Sequence, residues 1–199
     1  MKKYFIMSFL CCLSLSVFSQ SITLSSGSLP PFQEERMVEF AYTYDNMSVG
    51  KMTEADYIDK KVGDYNEKEA GRGDAWLEAW IGDRQERFEP KFEELFSKHM
   101  EKYDFFIDPQ EAKYLIIINT DFTEPGFNVG VARKNASINL TCRIIDKATQ
   151  EEIGVIKIRN SSANDFWGTD FEVGYRIQEC YAKAGRELAK FLVKKLKLK

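Results

Sequence analysis

Residues 114–122 carry apolar side chains at both alternating positions, and Leu115-Ile116-Ile117-Ile118 is the longest strongly apolar run after the first twenty residues. Successive side chains of a strand point to opposite faces. A strand that is apolar on both faces belongs in the middle of a sheet, covered on both sides. Its neighbours can be read from the same alternation. In residues 36–45, Val38, Phe40, Tyr42 and Tyr44 alternate with Glu39, Ala41 and Thr43. Residues 129–146 and 152–159 flank the turn Lys147-Ala148-Thr149-Gln150 and predict a hairpin. Phe105-Phe106-Ile107 reads as a short edge strand.

Helical spacing fills the intervals. Thr53, with Asp56 three residues on, predicts a capped helix through residue 61. A polar loop over residues 63–73 follows, and Asp74 is expected to cap a helical stretch reaching about residue 103. In that stretch Leu77, Ile81, Phe88, Phe92, Leu95 and His99 share one face. Pro90 interrupts it at a cost of ~3 kcal/mol in a helix interior, so two helices are expected, with Pro90 in the first turn of the second. Residues 170–198 form a last, long helix, with Phe171, Ile177, Tyr181, Ala184, Leu188 and Leu192 inward. The class is α/β, with α+β as the alternative: one sheet of four to five strands packed by helices, ending in a long C-terminal helix.

The first nineteen residues stand outside this pattern. Lys2 and Lys3 precede an apolar stretch of about 15 residues, too short to cross ~30 Å of hydrocarbon, and Val17-Phe18-Ser19 fits a signal-peptidase site. Residues 1–19 therefore read as a signal peptide, residues 20–35 (rich in Ser, Gly and Pro) as a flexible lead-in, and residues 36–199 as a single domain. Neither Cys11 nor Cys12 has the small and branched neighbours of a lipobox. The leader resembles those of exported proteins of Bacteroidetes-type bacteria, which implies a periplasmic or secreted chain and leaves outer-membrane association open. Loss of Lys2 and Lys3 takes the net charge from −3 to −5.

That charge disfavours a nucleic-acid partner. His99 is the only histidine and no Gly-x-Ser-x-Gly elbow occurs, so covalent catalysis lacks its usual parts. After the leader only Cys142 and Cys180 remain, each on an apolar face. They are two buried thiols or, in an oxidising compartment, one disulfide. No zinc spacing or phosphate cradle is present, and residues 64–69 lack the glycine and the ligands of a calcium loop. Asp121 and Glu124 form the one carboxylate pair considered for glycoside hydrolysis. No cofactor, metal or catalytic residue is assigned.

Two features are candidate contacts. Phe127, Phe166 and Trp167 fall in loops, where aromatic rings either stack on a sugar or anchor a partner, or fold back as lids on the core. Trp76 and Trp80, four apart on a helix, read as packing residues. Lys183, Arg186, Lys190, Lys194, Lys195, Lys197 and Lys199 set seven cations against Glu187 at the chain's end. They either solubilise a helix terminus and complement its dipole or, through Lys190, Lys194 and Lys195 above all, meet an anionic envelope surface or acidic partner.

From residue 114 to 198 the order is buried strand, Pro-Gly loop, long strand ending in Asp146, turn, strand and terminal helix. This resembles exported α/β domains of envelope accessory proteins, the group of the curli-assembly lipoprotein and the activators of penicillin-binding proteins. There Asp-x-x-Thr-Gly-Glu forms the hairpin turn; here it reads Asp146-Lys147-Ala148-Thr149-Gln150-Glu151, with Gln150 in place of Gly. The resemblance implies a scaffolding role without catalytic residues. The expected function is a non-catalytic, exported, envelope-associated binding or assembly module. A glycan- or small-ligand-binding protein is the alternative, and a carbohydrate hydrolase the third reading.

Overall fold

The computed structural model describes residues 20–129, 132–162 and 173–199. At its centre is strand β6 (Tyr114–Glu124), reached after β1 (Ser21–Gly27), β2 (Met37–Thr43), the two-residue strands β3 (Ser48–Val49), β4 (Met52–Thr53) and β5 (Phe106–Ile107), and three helices. β7 (Phe127–Val129) and β8 (Ala132–Lys134) form a separate small hairpin, followed by β9 (Ser137–Asp146) and β10 (Glu152–Ser162). The main sheet runs β1-β10-β9-β6-β2-β5, with β3 beside the end of β6 and β4 beside β3. β6 is antiparallel to β9 and parallel to β2, so the sheet is mixed. The α/β class is as the alternation implied. Two-residue strands and β1 bring the sheet to eight strands.

Two expectations about this sheet change. Residues 21–27 are not a loose lead-in: Ser21 to Gly27 pairs antiparallel with Arg159 to Gly154 as an edge strand. The reason lies in Ile22 and Leu24, whose side chains pack against the core on one face while serine and threonine face out. The second change concerns β6 itself. It is central, but among the described residues it is covered on one side only. Ile116, Ile118 and Thr120 are at most 1% exposed, whereas Leu115 and Ile117, on the other face, are only half-buried and belong to no part of the main core. Every helix of the described residues packs on the first face.

Those helices are α1 (Glu54–Asn66), α2 (Arg72–Asp83), α3 (Glu89–Met100) and α4 (Val173–Leu196). Thr53 caps α1, its Oγ1 accepting from the Asp56 N–H at 3.1 Å, and α1 runs five residues past the expected end. Asp74 does not cap α2. The cap is Gly71 at φ 81°, and the side chain of Asn66 accepts the Gly73 N–H at 2.7 Å, which leaves Asp74 in the first turn. α2 and α3 join through one π-helical turn, Arg84–Phe88, and Pro90 sits in the first turn of α3 as expected. Proline offers no N–H and crowds the preceding turn; the wider turn passes the chain through with Glu89 N–H bonded to Arg84 O.

The α2–α3 rod lies parallel to α4. Gly174 meets the Asp83 carboxylate, Phe88 stacks on Tyr181 with ring centroids 5.1 Å apart, and Gly185 meets the carbonyl of Phe92. A Cβ at Gly185 would lie 2.1 Å from that oxygen, so the helices approach this closely only because residue 185 is glycine. Phe92 and Phe96 then reach Phe40 on β2, with ring centroids at 5.5 and 4.9 Å, closing the core between rod and sheet.

Candidate functional site

α4 carries the chain's densest positive charge on a rigid support. Ile177, Tyr181, Ala184, Leu188 and Leu192 are at most 1% exposed and lock one face into the core. The opposite face presents Lys183, Arg186, Lys190 and Lys194 at spacings of three and four, a single stripe along the helix, and Lys197 follows just beyond its end. Lys190, Lys194, Lys195, Lys197 and Lys199 are exposed. Glu187, the one carboxylate in the stripe, accepts from Lys190 at 2.9 Å and Arg186 at 3.1 Å. Partial burial pushes its carboxyl up, but those two cations outweigh that effect and hold it below its ordinary value. Lys195 Nζ lies 5.8 Å from the Phe191 ring, and Lys183 donates to Ser162 O at 3.1 Å. The distal lysines extend into solvent at a helix C-terminus, where they complement the dipole and face whatever approaches.

Of the loop aromatics, Phe127 opens β7 and is 39% exposed; Phe166 and Trp167 lie outside the described residues. Trp76 and Trp80 pack as expected, 2% and 4% exposed and stacked on each other at 5.5 Å. Asp121 and Glu124 are each engaged by partners on other strands. Asp121 accepts from Thr141 at 2.7 Å and Arg159 at 2.6 Å, and Glu124 holds Lys134. His99 donates from Nδ1 to Leu95 O at 3.0 Å, one turn back on its own helix.

Cys142 and Cys180 are two buried thiols rather than a bridge. Cys180 Sγ donates to Arg176 O at 3.3 Å, within α4, while Cys142 points into the sheet's inner face between Ile118 and Ile156. Complete burial pushes the Cys142 thiol up to about 12, so it carries almost no thiolate at neutral pH. Among the described residues no group of three or more His, Cys, Asp and Glu side chains is placed to hold a metal ion.

Three arrangements escaped the sequence reading. Tyr42 on β2 and Tyr44 just beyond its end donate to Glu93 and Glu89 on α3, each at 3.2 Å, and Arg84 stacks over Tyr44 at 4.1 Å. Arg176, 5% exposed, donates to the Pro125 and Gly126 carbonyls and ties the β6–β7 turn to α4. On the uncovered face of the sheet, Thr43, Asn119, Asp121, Thr141 and Arg159 form a hydrogen-bonded row across four strands. Tyr42 and Tyr44 shared a face with Phe40, and Glu89 and Glu93 are four apart; that was the available signal for the first.

No protein-family model matches the chain, and no curated protein matches it in sequence. Solved structures do resemble it. A PelC dodecamer from Paraburkholderia phytofirmans aligns with TM-score 0.40 and 11% identity, over 83% of this chain and 96% of that one. A putative neuraminyllactose-binding hemagglutinin homolog from Helicobacter pylori aligns with TM-score 0.39 and 12% identity, over 83% and 87%. A protein from Xanthomonas campestris aligns with TM-score 0.37 and 9% identity, over 79% and 83%. Likenesses at this level carry no function to this chain.

Proposed function

We propose that this chain is an exported, non-catalytic binding or assembly module of the bacterial envelope, which meets an anionic surface or acidic partner through the outer face of α4. One observation carries the reading. Three exposed lysines, Lys190, Lys194 and Lys195, stand on a helix whose other face is fixed in the core, and Lys197 and Lys199 follow directly beyond its end, so the charge is displayed in one place. The leader and the accessory-domain pattern supply the compartment. The engagement of the thiols, His99 and the Asp121 and Glu124 carboxylates in structural contacts favours binding over catalysis. The test replaces Lys194, Lys195, Lys197 and Lys199 with glutamine and compares capture from envelope extract across a salt series. The expected result is capture that weakens with salt and is lost in the variant; unchanged, salt-insensitive capture overturns the reading.

The exposure of Phe127 favours a second reading, glycan or small-ligand binding through this ring with Phe166 and Trp167. Alanine at Phe127 then abolishes binding to a glycan panel at unaltered thermal stability. Binding that persists removes this reading.

A further inference from the structure

We propose that the uncovered face of the sheet is the interface through which two copies of this chain pair about a two-fold axis. β6 is apolar on both faces, a pattern that in a sheet accompanies cover on both sides, and the helices supply only one cover. The register places Leu115, Ile117, Ile145 and Val155 together on the other face: Leu115 opposes Ile145, and Ile117 and Val155 both oppose Arg143. Ile145 is 8% exposed yet lies outside the main core. At one edge Met37 and Phe106 pair across strands, 37% and 50% exposed. An apolar patch of this kind on a face with no helix marks an interaction surface.

Size and charge select a second copy as the occupant. Five strands at ~4.8 Å spacing, seven to eleven residues long at ~3.4 Å each, offer roughly 750 Å², close to the share each partner contributes to an interface of standard size. Four carboxylates of this face are each matched by a cation: Glu39 with Lys147, Asp121 with Arg159, Glu124 with Lys134 of the neighbouring hairpin, and Glu152 with Arg143. Lys157, opposite Thr141, is one further cation of the face. A face so close to balance repels its own copy little, although the chain as a whole is negative. It also offers little net charge to draw an acidic or basic partner. Two such faces pack as aligned sheets about 10 Å apart with side chains interdigitating, and the contact is self-complementary, as a two-fold interface must be. The α4 stripes then lie on the two outer sides, clear of the contact.

Sedimentation equilibrium of the purified chain from about 1 to 100 μM tests this. The expected result is a reversible monomer–dimer equilibrium that Ile117→Lys weakens at least about tenfold. Val155→Lys adds a second unmatched cation to each face and weakens it likewise, which keeps the test decisive where Ile117→Lys does not fold. Lys194→Glu, on α4, leaves the equilibrium unchanged. A monomer throughout the range overturns the proposal, and so does a dimer that a folded Ile117→Lys or Val155→Lys protein leaves intact.

Discussion

Glu89 and Glu93 stand one turn apart on α3, and each turns its carboxylate toward a tyrosine, Glu93 to Tyr42 of β2 and Glu89 to Tyr44 just beyond that strand. Burial raises both carboxyls above their ordinary value of 4.5 by more than the tyrosine bonds lower them, and Glu89 adds to the rise at Glu93. A carboxyl whose folded pKa is raised binds more protons folded than unfolded. Its contribution to stability is therefore complete below the unfolded pKa and is lost as pH rises through the folded one. Above their folded values both groups are ionised and weaken the packing of α3 on the sheet. Glu93→Gln keeps an acceptor for Tyr42 without the charge, so it is expected to raise the melting temperature at pH 7 and to lose that advantage toward pH 4. The gain stays below about 1 kcal/mol, because the site is partly open to solvent. Thermal unfolding from pH 4 to 8 decides it, and a variant less stable than the parent at pH 7 contradicts the account. None of this was legible in the sequence, because the meeting of residues 42 and 93 depends on how the rod crosses the sheet.

At the level of elements, legibility followed the strength of the local signal. Thr53 with Asp56 gave a cap in the right place, and Pro90 placed the α3 start. Asp74 misled, because its preference for a helix start was overruled by Gly71, whose left-handed backbone ends the preceding loop, and by Asn66 reaching over from α1. The β9–β10 turn shows the opposite case. Gln150 takes φ 62°, the left-handed conformation for which the resembled group uses glycine, and in which a residue with a Cβ is strained by ~1–2 kcal/mol. Its side chain offsets part of this by donating to Lys147 O at 2.7 Å. Gln150→Gly relieves the strain, loses that exposed bond and gives the unfolded chain more freedom, for a net gain of about 0.5 kcal/mol. Gln150→Val, β-branched, costs more than about 1 kcal/mol. Denaturant titration of the pair checks the turn; a valine variant as stable as the glycine one would show that residue 150 is not held at positive φ.

For the molecule as a whole, composition concealed more than periodicity did. The two-faced pattern of residues 114–122 located the centre of the sheet correctly, yet one of its faces has no cover from the described helices, and nothing local distinguishes cover within a chain from cover by another. Serine content likewise hid β1, although Ile22 and Leu24 already alternate. β1 joins β10, with Ser28 N–H donating to Ile153 O at 2.8 Å beyond its end, so the sheet is finished by residues about 130 apart in sequence. Removing residues 20–27 takes away the partial burial of Ile22 and Leu24 and opens the lip of the core beside Ile156 and Ile158, both 0% exposed in the intact fold. At ~1.5–3 kcal/mol for a fully buried side chain of this size, two half-buried ones contribute about 2 kcal/mol before any ladder bonds are counted. It also turns the eleven-residue β10 into a bare edge, a template for pairing between chains. A chain beginning at Ser28 is accordingly expected to melt at least about 5 °C lower and to aggregate near its transition. Unaltered melting and reversible unfolding would return residues 20–27 to the status of a loose lead-in, and would place the working edge of the sheet at β10.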